Sequence, residues 1–143
     1  MPGCCFVRLT SCLIEHILYV MAWPVDFYKD AGGTAPVEIF LDGLTAKQRA
    51  KLVALIKMLK DYGIALPFPY SSQVKGRLRE LRTQLGKTRL RILYFADENQ
   101  EFQLLHGVVK DTQKLEQSDI ETGENRMADH NQRLRKKSKK KGE

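Results

Sequence analysis

The chain has 143 residues, with 24 Lys and Arg against 17 Asp and Glu, for a net charge of +7. That length suffices for one domain with a real core plus short extensions, and no stretch is apolar enough to form a membrane-spanning helix. The charge is segregated: Lys75–Arg91 and Arg133–Glu143 each carry +6, leaving −5 for the remainder, a pattern that points to a phosphate-rich partner, although a lysine-rich end by itself also serves as a solvating tail.

Cys4, Cys5 and Cys12 all fall in the first twelve residues. With no His or Cys following at ligand spacing, they support neither a disulfide framework nor a zinc site, so a reducing, cytoplasmic compartment is expected, with no metal and no small-molecule cofactor. Residues 1–20 are moderately apolar but interrupted by Arg8, Glu15 and His16, unlike a signal peptide. We expect them to be a poorly ordered extension, with Met21 the natural start.

From Trp23 the pattern sharpens. Trp23–Tyr28 is rich in aromatic and branched residues and reads as a strand, with Pro24 confining it to a strand start or an edge. After the Gly-containing loop Asp30–Thr34, Thr34 is expected to cap a short helix from Pro36 to Leu41. Thr45 caps a longer helix that stops at Gly63, with Leu52, Leu55, Ile56, Leu59 and Tyr62 on one stripe facing the core. Its lysines and Arg49 read as a solvated face. Ile64–Gln73, with Pro67 and Pro69, reads as a loop.

Three strands follow, Leu78–Leu85, Thr88–Asp97 and Glu101–Lys110, joined by tight turns at Gly86-Lys87 and Glu98-Asn99. Alternation puts Leu90, Ile92, Tyr94 and Ala96 on one face of the middle strand and Arg89, Arg91, Leu93 and Phe95 on the other. Glu80 and Arg82 share a face across the hairpin from Arg91. The expected architecture is α+β, a small antiparallel-rich sheet with two N-terminal helices on one face and a concave basic second face. A polar connector, Asp111–Gln117, leads to a helix capped at Ser118 by a capping box with Glu121. That helix should weaken at Gly123 and give way to a disordered basic tail over residues 131–143.

Several motifs occur in a telling order: Trp23-Pro24-Val25-Asp26-Phe27-Tyr28, Phe40-Leu41-Asp42-Gly43-Leu44, Leu78-Arg79-Glu80-Leu81-Arg82, Arg91-Ile92-Leu93-Tyr94-Phe95, Leu104-Leu105-His106-Gly107, and Lys110 through Lys114. Together they resemble the phage-derived, HigB-like branch of the RelE/ParE toxin superfamily, over about Met21 to Arg126, within a domain set at residues 21–130. The resemblance implies a RelE-like toxin of a type II toxin–antitoxin pair that cleaves translated mRNA on the ribosome. It also implies a helix-turn-helix antitoxin as partner. Two positions depart from the branch, which has two consecutive lysines where this chain has Lys110-Asp111, and an aromatic where it has Val108.

RNA cleavage without a metal requires the 2′-hydroxyl to attack the adjacent phosphorus while cations stabilise the added charge. Guanidinium forks suit that task. Arg82 and Arg91 are the leading candidates, from their shared face and their places in the family motifs; Arg82 paired to Glu80 as a structural bridge is the alternative. Lys110 and Lys114 are candidates for phosphate contact, or for acid–base work if crowded cations lower a lysine pKa. Glu80 is a candidate base, and His106 reads as a hydrogen-bonded core residue. Arg79 and Arg89 are assigned to backbone binding, with Arg77, Lys75 and Lys87 at the rim. The competing functions are a ParE-like inhibitor that binds DNA gyrase without catalysis, and a degenerate toxin retaining only antitoxin binding.

Overall fold

The computed structural model describes residues 23–142; the expectations for residues 1–20, for Met21 as a start and for the cysteines lie outside them. Five strands form one sheet in the order β1-β5-β4-β3-β2. They are β1 (Val25–Phe27), β2 (Ser71–Lys75), β3 (Leu78–Leu85), β4 (Thr88–Ala96) and β5 (Phe102–Lys110). β1 runs parallel to β5 and every other pairing is antiparallel. Helices α1 (Pro36–Asp42) and α2 (Ala46–Tyr62) precede β2, and α3 (Gln117–Lys141) closes the chain. This is the α+β, antiparallel-rich arrangement expected from the sequence, with the N-terminal helices packed on the sheet and a helix at the C-terminus.

The α2 start is built as its sequence implies: Thr45 Oγ1 accepts from Gln48 N while the Gln48 side chain accepts from Thr45 N, and Gly63 ends the helix at φ +57°. Leu52, Leu55, Ile56 and Leu59 pack with Val37 and Leu41 of α1 against Leu81, Leu90, Ile92, Tyr94 and Leu104 of the sheet. Tyr62 departs from the expected stripe and is exposed. α1 begins without a side-chain cap at Ala35; Thr34 instead closes the preceding loop, its N–H donating to Asp30 Oδ1 at 2.9 Å.

Part of the second face of the sheet is covered as well, which narrows the expected basic concavity to the hairpin end. Leu78, Leu93, Phe95 and Leu105 point away from α2 and form a second core with Ile120 and Met127 of α3. Gly123 is the reason the helix lies so close. A Cβ there would meet Leu93 Cδ1 at 3.1 Å and Leu78 at 3.3 Å, so the glycine that was expected to weaken the helix is what lets it dock.

Nor does α3 dissolve into a disordered tail; it runs unbroken to Lys141. Docking carries it past residue 130. His130 Nε2 lies 3.0 Å from Asp97 Oδ2, Tyr28 donates to Asp129 at 2.6 Å, and Arg133 stacks over the Tyr28 ring and bonds the Lys29 carbonyl. Beyond that point Lys is a good helix former and Lys139–Lys141 sit at the negative end of the helix dipole. The helix starts one residue before Ser118, with Glu116 at the cap and no side-chain capping bond. The end of the stretch expected to be a loop, Ser71–Gln73, belongs instead to β2, which pairs with β3 as the sheet edge.

Candidate functional site

The β3–β4 hairpin turns at Gly86, whose φ of +61° few other residues adopt. Its register pairs Arg82 with Arg91 and Glu80 with Leu93, so Glu80, Arg82 and Arg91 project from one face. Their side chains meet. Arg91 Nη1 donates to Glu80 Oε2 at 3.0 Å and Arg82 Nε stands 3.5 Å from Glu80 Oε1. Ser72 Oγ, from the neighbouring edge strand, donates to Glu80 Oε1 at 2.9 Å.

The two guanidiniums are not equivalent. Arg91 is 5% exposed, and its second arm donates to the carbonyl of Gln113 in the connector before α3. Arg82 keeps 30% of its side chain exposed. Arg89, two residues from Arg91 on the same face, donates to the Asp111 carbonyl at 2.7 Å. Arg82, Arg89 and Arg91 line a cleft of about 300 Å³ together with Thr83 and Gln84, and Pro69 and Tyr70 close it from the loop before β2. The Arg82 guanidinium lies 5.1 Å from the centre of the Phe68 ring.

The other predicted residues divide. Lys110 is the register partner of Arg89, but its Nζ is held by Glu116 Oε1 at 2.8 Å and Asp119 Oδ2 at 3.2 Å. Close approach of the Glu116 carboxylate, reinforced by Asp119 against partial burial, pushes the Lys110 pKa up. A lysine lowered towards neutrality by neighbouring cations is therefore the wrong picture: its neighbours are carboxylates. Lys87 is exposed in the hairpin turn, and Lys114 is exposed in the connector.

Arg77 and Arg79 lie apart from the cleft. Arg79 pairs in register with Tyr94 on the α2 side, bonding Ser71 Oγ at 3.1 Å and reaching the Tyr94 hydroxyl at 3.4 Å. Arg77 donates to the Ala96 carbonyl at 2.9 Å. They line a second hollow of about 260 Å³ with Tyr94, Ala96 and Phe102. Strand alternation separates Arg79 from Arg82, because residues three apart face opposite ways.

His106 is hydrogen-bonded, as read, but by another route. A bulge in β5 opposite Leu93–Tyr94 shifts the register, so Leu104 stays with the α2 core while His106 turns to α3. There it meets Asp119 Oδ1 at 3.0 Å and Arg126 at 3.3 Å. Partial burial pushes the Asp119 carboxyl up, but the His106 hydrogen bond and the nearby Lys110 ammonium outweigh it, so its pKa falls below the ordinary value.

Sequence reasoning passed over Ser72, Phe68 and Tyr70. The available signal was the alternation Phe68, Tyr70, Ser72, which continues the parity of an edge strand hidden in a polar, proline-flanked segment. Among the described residues, no three His, Cys, Asp or Glu side chains are grouped as a metal ion would need, and no helix is long and apolar enough to cross a membrane.

Comparison with known families meets this site directly. Residues 39–128 match the family model described as phage derived protein Gp49-like (DUF891). No curated protein matches. The matched span takes in the end of α1, all of α2, all of β2–β5, the cleft and the first half of α3, and the chain therefore belongs to the phage-derived Gp49-like family.

Proposed function

We propose that the β3–β4 cleft grips an RNA phosphodiester and that the protein is the toxin of a toxin–antitoxin pair, an endoribonuclease acting on translated mRNA. The observation that carries this reading is the convergence of Arg82 and Arg91 on Glu80 at a cleft also lined by Arg89. Guanidinium forks stay charged and match phosphate oxygens in pairs. In this reading Arg82 binds a non-bridging oxygen, and Arg91 trades the Gln113 carbonyl for another. The 2′-oxygen forms a bond to phosphorus as the bond to the 5′-oxygen breaks. Glu80 takes the hydroxyl proton, and water returns one to the leaving oxygen. The products are a 2′,3′-cyclic phosphate and a free 5′-hydroxyl. The partners are mRNA, the ribosome and a helix-turn-helix antitoxin.

One observation favours a second reading, a binding protein without catalysis, as in ParE-like gyrase inhibition. Glu80 is engaged by Ser72, Arg82 and Arg91, and Lys110 by two carboxylates, which commits both of these acid–base candidates to other partners. Induced expression with mapping of transcript 5′ ends decides between them. Cuts within translated frames that vanish in Arg82→Ala support the nuclease. Growth arrest with DNA breaks and no such cuts supports the inhibitor.

A further inference from the structure

We propose that Phe68 and Tyr70 form a nucleobase-stacking subsite, so that the cleft selects single-stranded RNA by laying an unpaired base on an aromatic ring beside the gripped phosphate. This deepens the phosphate-binding reading and rests on it. Phe68 is 70% exposed and Tyr70 43% exposed, although an aromatic ring left in water forgoes the stabilisation of burial. Both lie next to Arg82, a cleft arginine whose side chain stays 30% exposed. Arg82 N donates to the Tyr70 carbonyl at 2.8 Å, continuing the β2–β3 pairing one residue beyond β2 and bringing Tyr70 alongside Arg82. The Arg82 guanidinium faces the Phe68 ring at 5.1 Å, and Tyr70 itself lines the cleft.

A nucleic acid strand presents the same pairing: an anionic phosphate and, a few ångströms along, a flat π surface. Duplex bases are already stacked and offer only their edges, whereas an unpaired base is free to stack on a side chain. Neither ring reads base edges through a polar array, so the subsite favours single strands over duplex with little preference among bases. The positive cleft suits the phosphate, whereas an apolar protein segment would leave Arg82 and Arg89 unmatched.

The test measures binding by anisotropy, using a labelled mixed-sequence RNA strand, its duplex, and an abasic ribose-phosphate strand of equal length. Wild type is expected to bind the single strand about tenfold or more tighter than the abasic strand and also tighter than the duplex. Phe68→Leu and Tyr70→Leu keep apolar bulk but lose or reduce the π face. They should weaken the ordinary strand far more than the abasic one, so that the two converge, and Phe68→Trp should keep the discrimination. Equal binding of ordinary and abasic strands by wild type, with both lost in Arg82→Ala, overturns the stacking subsite and leaves the phosphate site standing. Failure of wild type to bind any of the RNAs removes the phosphate reading and the subsite with it. Loss of antitoxin binding in Phe68→Leu, with RNA discrimination intact, assigns the rings to a protein partner and overturns the inference.

Discussion

Arg82 and Arg91 touch the same carboxylate but stand in different surroundings, and their removal should separate stability from function. Arg91 is buried against a buried Glu80, so Arg91→Ala strands a carboxylate without its closer cation and should cost about 3–5 kcal/mol. Arg82 is partly exposed and 3.5 Å from Glu80, and its loss should cost no more than about 1 kcal/mol of stability. If Arg82 meets the scissile phosphate, Arg82→Ala should nonetheless slow cleavage by about 10²–10³-fold. Urea unfolding alongside a cleavage assay checks both halves; equal stability losses in the two variants would contradict the assignment. This triad was legible in the sequence because it depends on strand alternation and one tight hairpin. The pairing of Lys110 was not, because Glu116 and Asp119 reach it only when α3 docks, and the side taken by His106 turns on a single extra residue in β5.

The positions of the helices rest on close approaches at glycine. Phe40 of α1 packs against the backbone of β5 at Gly107, where a Cβ would come 2.0 Å from the ring. Gly107→Ala must displace α1 or bend β5, and should destabilise by about 1–3 kcal/mol. Gly86→Ala meets no neighbour within 4 Å and should incur only the backbone cost of positive φ, about 1–2 kcal/mol; thermal melts of the pair would separate packing from backbone strain. Such contacts explain which elements could be foreseen. α2 announced itself through its cap and stripe, whereas β2 is short, polar and at an edge, so its pairing with β3 left little periodic signal. α3 was half-visible, since its docking depends on residues 97, 28 and 78 far away in sequence. Its attachment should also be acid-labile. Burial raises the pKa of Asp97, but the Glu101 N–H, His130 and other donors outweigh it, and the net shift is downward. Asp119 is likewise lowered, and Asp129 is lowered chiefly by the Tyr28 hydroxyl. All three carboxylates therefore contribute stability above the unfolded value of about 4, and it is lost as pH falls through their lower folded values. Hydrogen exchange should show α3 amides opening before those of β3 and β4 as the pH drops below about 4, and Asp97→Asn should flatten part of that dependence.

Among the described residues, positive charge is dense along β3 and β4, divided between the hairpin cleft and the Arg77–Arg79 hollow, and at the end of α3, a helix about 37 Å long at 1.5 Å per residue. Lys136, Lys137 and Lys139–Lys141 are exposed on that end, beyond the contacts of Arg133 with Tyr28 and Lys29 and of Arg135 with Glu98 at 3.6 Å. The charge segregation seen in the sequence thus becomes spatial, with one basic region built into the sheet and another carried on a projecting helix. A truncation that respects the docking contacts should leave the fold alone. Ending the chain after Arg135 removes only exposed lysines and their neighbours, so the unfolding midpoint should stay within the range of a surface change, about 0.5 kcal/mol. Ending it before Arg133 also removes the cation over Tyr28 and one partner of Asp129, and should lower stability measurably. For RNA, lysines that approach phosphates each release counterions, so losing a contact flattens the salt dependence of the binding constant by about 0.7 in log–log slope on a single strand. The shorter chain should therefore bind the same oligonucleotide more weakly at low salt and converge with the full chain as salt rises. Affinity titrations at several salt concentrations measure this directly, and parallel salt slopes for the two chains would show that the helix end stays clear of the nucleic acid.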